Sequence, residues 1–342
     1  MKSGAKYYIL FAAVLICCFV ADIICGSVAI PVKDIINSLF SSDTLPDNAQ
    51  STFVRDIILN FRLPKAFVAL LAGIGLPVCG LQMQTLFKNP LADPYILGIS
   101  AASGLGVALF VMGGSLIGLD MNSPFFQIFG VAGAAMAGAF LLTLLIISLS
   151  NKLKDNLSLL IFGIMTGSVA SAIISLMQYL SNASQLKSYV IWTMGSFAGL
   201  SSLQISIMGI MVIAGFLMSV YNIKDLNALL LGEQHAAAMG LNVKAIKVRL
   251  LLATTLLAGS VTAFCGPIGF VGIAVPHIAR FIFRNANHKT LLPATAIIGG
   301  ITMLFADIIS QMPGTGTVIP INTVAALLGI PVILYIITKN RV

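Results

Sequence analysis

The stretch LLLATTLLAGSVTAFCGPIGFVGIAVPHIA, residues 250–279, decides the fold class of this chain. It contains thirty residues without a formal charge, between Arg249 and Arg280. At about 1.5 Å per residue, one unbroken helix of that length would measure about 45 Å, whereas the hydrocarbon core of a bilayer is about 30 Å thick. The run is too short for two full spans, and Gly266-Pro267 offers a break inside it. The sequence therefore predicts one long membrane helix followed by a short or re-entrant one.

The same apolar character extends along the whole chain. Of its 342 residues 58% are hydrophobic and only 9% are charged, whereas an average soluble domain is about 25% charged. Apolar runs of about 20 residues favour membrane helices over the alternating strands of a β-barrel. We therefore expect an all-α, polytopic membrane protein that forms a single domain over residues 1–342. Ten spans are predicted, at about 7–28, 64–86, 94–113, 124–149, 157–180, 190–220, 246–264, 268–283, 291–312 and 318–338.

The distribution of basic residues predicts the sidedness of these spans. With the N-terminus in the cytoplasm and ten crossings, fourteen Lys and Arg residues face inward and five face outward. With nine crossings, nine Lys and Arg residues would face inward and ten would face outward, which would remove the excess of positive charge that cytoplasmic loops normally carry. We therefore expect both termini inside the cell, and we interpret the net charge of +8 as topogenic rather than as a sign of nucleic-acid binding.

A faint internal repeat supports a transporter. Residues 70–73 and 79–80 match residues 256–259 and 265–266 at a constant offset of 186, and Pro90 and Pro276 keep that offset. If the repeat is real, it relates a span that runs inward to one that runs outward. Spans 2–5 and 7–10 would then form an inverted internal repeat, an arrangement common in transporters.

The chain lacks the motifs of an enzyme or of a metal protein. It has no GxxxxGK[ST] phosphate loop, no HExxH motif and no Cys/His cluster at metal spacing. We expect no catalytic residue, no cofactor and no metal. Two acidic residues within spans, Asp22 and Asp307, are functional candidates because ionisable groups in a membrane are costly. Asp307, with Gln311 one turn later, has either a structural role between helices or a role in lining a pathway.

Two loops stand out by their residue types. Arg62 and Lys65 are cationic at the outer start of the second span, where they either reach lipid headgroups or form a docking patch for an acidic partner. The segment GEQHAAAMGL, residues 232–241, predicts a short helix between glycines in a cytoplasmic connection. Such a helix is either an ordinary connector or a small surface that fills a groove on another protein.

These loops carry a resemblance to a known family. RLPKAFVALLAGIGLPVCGLQMQTLFKNPLADPYILGIS (62–100) strongly resembles the signature of FecCD-type ABC permeases, which import ferric siderophores, haem and vitamin B12. GEQHAAAMGLNV (232–243), GPIGFVGIAVPHIAR (266–280) and LLPATAIIGGITMLFADIIS (291–310) resemble the family at matching places. The similarity covers nearly the whole chain in the right order.

The resemblance implies the architecture of a type II ABC importer in a bacterial inner membrane. It implies ten helices per subunit, a homodimer with the pathway between the subunits, and an ATPase dimer on the cytoplasmic side. A periplasmic or lipid-anchored binding protein would deliver the substrate from outside. The chain itself would be no enzyme and would bind no nucleic acid.

The resemblance also implies roles for individual residues. The helix at 232–241 would be the coupling helix, and Arg62 and Lys65 would meet acidic residues of the binding protein. A third basic position of the family is Gln311 in this chain, which departs from the pattern. Asn156 and Leu157 match the region of the inner gate. The residues expected at the ATPase are Gly232, Glu233, Ala236, Ala237, Gly240 and Leu241.

One alternative from another class stays open, an ion-coupled secondary carrier that uses Asp307 and Asp22. The sequence does not choose among ferric siderophore, haem and cobalamin as the substrate.

Overall fold

The computed structural model describes residues 2–26, 30–33, 35, 49–114, 123–150, 156–312 and 317–339. Every regular element in these ranges is helical, as predicted. The helices are α1 Lys2–Ile24, α2 Ala49–Ile57, α3 Leu63–Leu86, α4 Ile99–Gly113, α5 Pro124–Ser150, α6 Asn156–Leu180, α7 Ala183–Met194, α8 Ser202–Tyr221, α9 Ile223–Leu231, α10 Glu233–Ala238, α11 Val243–Thr254, α12 Ser260–Cys265, α13 Val271–Phe283, α14 His288–Ser310 and α15 Ile321–Lys339. Single π-helical turns, Ile58–Arg62 and Thr255–Gly259, join α2 to α3 and α11 to α12.

The lengths of the apolar helices fit a polytopic membrane protein. In the described residues, seven helical segments are long and apolar enough to cross a bilayer, and three shorter apolar helices accompany them. The three shorter ones are Ile99–Gly113, Val271–Phe283 and Ile321–Tyr335. Each of these ten segments overlaps one of the ten predicted spans, whereas ten transmembrane helices and the inverted repeat stay predictions.

The predicted break in the long uncharged run is confirmed. α12 ends at Cys265, and Gly266 follows with a φ of 77°. A β-carbon at position 266 would lie 2.4 Å from the carbonyl oxygen of Trp192, so both the backbone conformation and the space require glycine. The next helix starts only at Val271 and has 13 residues, which makes it the short segment that the sequence indicates.

Helix α3 lies at the centre of the bundle. Most of its residues are buried, and it packs on α14 and α13 through close backbone contacts. A β-carbon on Gly73 would lie 2.5 Å from the carbonyl oxygen of Gly299, and one on Gly80 would lie 1.9 Å from that of Gly272. Small residues let the helices approach this closely, and packing of this kind stabilises membrane bundles.

The predicted start of the sixth span is wrong. Instead of one span over 190–220, the chain forms the short helix α7 and then α8, which begins at Ser202. Gly195, with a φ of 74°, ends α7. Ser201 then caps α8 by accepting a hydrogen bond from the backbone N–H of Gln204. These local signals stand inside an apolar stretch, so hydropathy alone joins the two helices.

Candidate functional site

Two polar clusters lie at opposite ends of α3. Lys65 is in its first turn and Leu86 is its last residue. The two residues are 21 positions apart, which corresponds to roughly 32 Å of helix, about the thickness of a bilayer core. The Asp307 cluster, at the start of α3, consists of Asp22, Arg62, Lys65, Asp307 and Gln311. The Glu233 cluster, at its end, consists of the Leu86 carbonyl and the side chains of Asn156, Glu233 and Lys247.

The Asp307 cluster joins three helices through buried charges. Lys65 Nζ of α3 lies 3.1 Å from Oδ2 of Asp307 in α14. Gln311 Nε2 donates one hydrogen bond to Asp307 Oδ2, at 3.1 Å, and one to Asp22 Oδ1 of α1, at 3.2 Å. Asp22 is 3% exposed and Asp307 is 1% exposed. Asp307 and Gln311, which the sequence places one turn apart, are hydrogen-bonded to each other, and the Lys65–Asp307 and Gln311–Asp22 contacts hold the ends of α1 and α14 and the start of α3 together.

Arg62 points into the protein rather than away from it. Its residue is only 7% exposed, and Nη1 donates hydrogen bonds to the carbonyl oxygens of Ile23, at 3.0 Å, and Ile24, at 2.8 Å. These carbonyls end α1, where a helix has acceptors without helical partners. Arg62 thus serves as a cap for α1, and its proposed contact with a binding protein stays a prediction.

A cavity of about 620 Å³ opens beside the Asp307 cluster. Its walls come from the junction of α2 and α3, the end of α7, the loop at 195–201 and the segment at 318–321. Asp307, Lys65 and Arg62 all contribute to the lining. Asp307 therefore pairs with a residue of another helix and also forms part of a cavity wall. Both of its predicted roles, a structural role between helices and a role in lining a pathway, stay open.

The Glu233 cluster connects α6, α3, α10 and α11. Asn156, the first residue of α6, donates a hydrogen bond from Nδ2 to the carbonyl oxygen of Leu86 at 2.7 Å. The same nitrogen donates to Oε1 of Glu233 in α10. Lys247 Nζ of α11 lies 2.9 Å from that carboxylate oxygen. One carboxylate of α10 is thus held from two sides by groups of its own chain.

The predicted short helix between glycines is confirmed as α10. Gly232 precedes it with a φ of 117°, and Gly240 follows it with a φ of 81°. Ala236 is fully buried against a hydrophobic cluster that includes Leu229, whereas Ala237 is exposed. Ala236 therefore anchors the helix from within. The outward face that a partner could reach consists of Gln234, His235, Ala237, Ala238 and Met239.

Sequence reasoning named Glu233 and Asn156 for separate roles and missed the bond between them. They lie 77 residues apart in the chain, so no spacing rule relates them. It also missed Lys247, whose only sequence signal is a lysine near the one glutamate of the chain. Leu157, the other residue of the predicted gate region, is 64% exposed beside Asn156. In the described part of the chain, no group of three His, Cys, Asp or Glu side chains is placed to hold a metal ion.

Residues 14–339 match the family described as the FecCD transport family. The chain belongs to this family. As a FecCD family member it is an integral membrane permease, a transport subunit rather than an enzyme. The family resemblance carried by residues 62–100 and 232–243 is therefore confirmed.

Curated relatives of this FecCD permease cover most of its length. The hemin transport system permease protein HmuU of Yersinia pestis is 33% identical over 300 residues, which are 87% of this chain and 88% of that protein. The vitamin B12 import system permease protein BtuC of Vibrio cholerae serotype O1 is 31% identical over 297 residues, 86% of this chain and 87% of that protein. A solved structure described as an inward-facing metal-chelate type ABC transporter superposes with a TM-score of 0.82 at 26% identity, covering 98% of this chain and 99% of that one.

Proposed function

We propose that this chain is the membrane-spanning permease subunit of an ATP-binding-cassette importer for a large metal chelate. The substrate class is a ferric siderophore, haem or cobalamin. Support comes from relatives named as hemin and vitamin B12 permeases, which align with more than four-fifths of the chain. A separate ATPase dimer supplies the energy, because the sequence has no phosphate-binding loop of its own.

The observation that carries this proposal is the exposed face of α10. The helix is anchored from behind by Ala236 and Glu233, and it presents small side chains such as Ala237 outward. A short helix held in this way can enter a groove of a partner while it stays attached to its own chain. We assign residues 232–241 as the coupling segment that transmits the movement of the ATPase.

The subunit works as a homodimer with the pathway between the two copies. Helix α6 is compatible with this arrangement, since only 28% of its apolar window is buried inside the chain, a low value that it shares with α1 (11%) and α8 (22%). Its exposed side carries hydroxyl groups, on Ser168 and Ser175, among apolar residues. Each hydroxyl donates to a carbonyl oxygen of its own helix, Ser168 to Ile164 and Ser175 to Ser171, both at 3.0 Å, and towards a second copy these oxygens would still offer acceptors to a polar chelate.

The orientation follows the distribution of positive charge. Both termini lie in the cytoplasm of a bacterium, ten segments cross the inner membrane, and spans 2–5 and 7–10 form an inverted repeat. The Glu233 cluster is then on the cytoplasmic side and the Asp307 cluster is on the outer side. The cavity beside Lys65 faces the periplasmic or lipid-anchored binding protein. Arg62 and Lys65 of the permease meet acidic residues of that protein.

Uptake into membrane vesicles tests the proposal. Vesicles that contain the permease with its ATPase and binding protein are offered a ferric hydroxamate siderophore, haemin or cyanocobalamin. Accumulation of one chelate that stops with orthovanadate, and continues with an uncoupler, supports an ATP-driven importer. Uptake that stops with the uncoupler and ignores orthovanadate would support an ion-coupled carrier. That alternative would need Asp307 or Asp22 to bind an ion, although Asp307 is already paired with Lys65.

A further inference from the structure

We propose that Asn156 and Glu233 form a relay that transmits movement of α10 to the first turn of α6. The inference rests on the proposed function, in which α10 contacts the ATPase and α6 lines the pathway. It adds a positioning role for two side chains. Glu233 serves its own chain, rather than the surface of the partner, and Asn156 is the receiver at the pathway helix.

The side-chain amide of Asn156 donates hydrogen bonds to two other helices, α3 and α10. Both hydrogens of Nδ2 are used, one on the Leu86 carbonyl at the end of α3 and one on Glu233 Oε1. The orientation of the amide follows from this, because a flipped group would place its oxygen against two acceptors. Its Oδ1 is buried and has no hydrogen-bond partner among the residues that the structure describes. Asn156 therefore cannot follow α10 without stretching or losing one of two bonds.

The α10 side of the relay is built to move as one unit. Six residues form the helix, and glycines with positive φ stand before and after it at 232 and 240. Glycine adopts such conformations without the steric cost of a side chain, so both ends can change direction. The Glu233 carboxylate is also paired with Lys247 of α11 at 2.9 Å. A charged acceptor makes a stronger hydrogen bond than a neutral one, which favours transmission through this oxygen.

The receiving side leads directly to an exposed residue of α6. Leu157 follows Asn156 in the same turn and is 64% exposed, whereas Leu159 and Leu160 are buried in the hydrophobic cluster around Leu86. A pull on Asn156 thus shifts the start of α6 at Asn156 and Leu157, while Leu159 and Leu160 stay packed in the hydrophobic cluster. Hydrogen-bond networks that have two discrete arrangements carry energetic coupling between distant sites.

The test measures the accessibility of Leu157 in the complex of permease and ATPase. The test variant has its five native cysteines replaced and carries Leu157→Cys. The cysteine at position 157 is labelled with a membrane-impermeant maleimide in two states of the complex. One state has no nucleotide, and the other is trapped with Mg-ATP and orthovanadate. In the parent, trapping changes the labelling rate. Asn156→Ala, which lies outside the coupling segment, is expected to reduce that change by about 2- to 30-fold, with the ATPase still bound and ATP still hydrolysed, and Glu233→Ala is expected to reduce it to a similar extent.

Conservative and control variants separate a relay from a structural role. Glu233→Gln keeps an oxygen that accepts from Asn156 and is expected to retain most of the change in labelling. Lys244→Ala removes an exposed lysine of α11 outside the relay and leaves the change as in the parent. If Asn156→Ala aggregates, Asn156→Ser gives the same comparison. The serine hydroxyl has a single hydrogen, which can bond either the Leu86 carbonyl or the Glu233 carboxylate but not both.

Two results would overturn the relay. In the first, Glu233→Ala and Asn156→Ala hydrolyse ATP and retain the full change at Leu157. In the second, Glu233→Ala loses the ATPase altogether, which would assign the carboxylate to the partner surface. A parent chain that binds no ATPase would instead overturn the proposed function, and the two failures are therefore distinguishable.

Discussion

Lys65 Nζ and Asp307 Oδ2 lie 3.1 Å apart and tie the first turn of α3 to the last turns of α14. The side chain of Asp307 is almost fully buried, and that of Lys65 is largely covered. A buried ion pair is costly to form but more costly to break, because removal of one partner leaves a charge without compensation. Mutation of one residue of this pair is therefore expected to destabilise the wall of the adjacent cavity.

Removal of one partner of this pair is expected to destabilise the permease. Lys65→Met leaves the Asp307 carboxylate uncompensated, and we expect a loss of about 3–5 kcal/mol in the free energy of unfolding. Thermal unfolding of the detergent-solubilised protein measures it. The double variant Lys65→Met/Asp307→Leu removes both charges and should recover most of the stability. Lys187→Met, at an exposed lysine of α7, is the control. Equal stability of Lys65→Met and the control would show that the pair does not contribute.

Reversal of charge at the outer end should weaken docking of the binding protein. Arg62→Glu/Lys65→Glu places two negative charges where acidic residues of the partner are expected, and the loss due to docking should shrink as salt screens it, whereas a loss due to the broken contacts of Arg62 with α1 and of Lys65 with Asp307 should not. Binding of the purified delivery protein to the permease in nanodiscs, at low and at high salt, gives the measurement. Lys187→Glu changes an outer lysine outside the patch and should bind normally. An unchanged Kd at low salt for a folded Arg62→Glu/Lys65→Glu protein would refute the docking role.

The break at Gly266 makes a prediction about topology. If α12 and α13 run in opposite senses through the membrane, Arg284 lies on the cytoplasmic side, one residue after the end of α13. An Arg284→Cys variant without other cysteines should react with an impermeant maleimide only from inside. Reaction from outside alone would favour nine crossings and place the C-terminus in the periplasm.

The features predicted correctly from the sequence are those with local causes. Gly266-Pro267 breaks the uncharged run because glycine adopts the φ of 77° and proline cannot continue a helix. The helix α10 is bounded by glycines that take up positive φ. By contrast, Gly195 and the cap at Ser201 divide an apolar stretch that hydropathy reads as one span.

The features that sequence reasoning missed depend on tertiary packing. The bond between Asn156 and Glu233 forms because α6, α3 and α10 meet at one point, and residues 77 positions apart give no periodic signal of that meeting. The inward direction of Arg62 is similar. Its charge suggested an exposed patch, whereas the carbonyls at the end of α1 supply acceptors that only the folded bundle brings within reach.

If ATP energy enters this permease through α10, a bulky residue on the outer face of that helix should block the entry. Ala237 is exposed, so Trp at this position leaves the folded chain undisturbed but overfills the groove of a partner, at a cost of about 1–3 kcal/mol or more. Lys244→Trp, outside the segment, is the control. The measurement is co-purification of the ATPase with the membrane-inserted permease, together with ATP hydrolysis in liposomes. We expect Ala237→Trp to insert normally but to lose both the ATPase and its hydrolysis, whereas Lys244→Trp retains them. Full retention of the ATPase and of its hydrolysis by Ala237→Trp would show that α10 is only a connector.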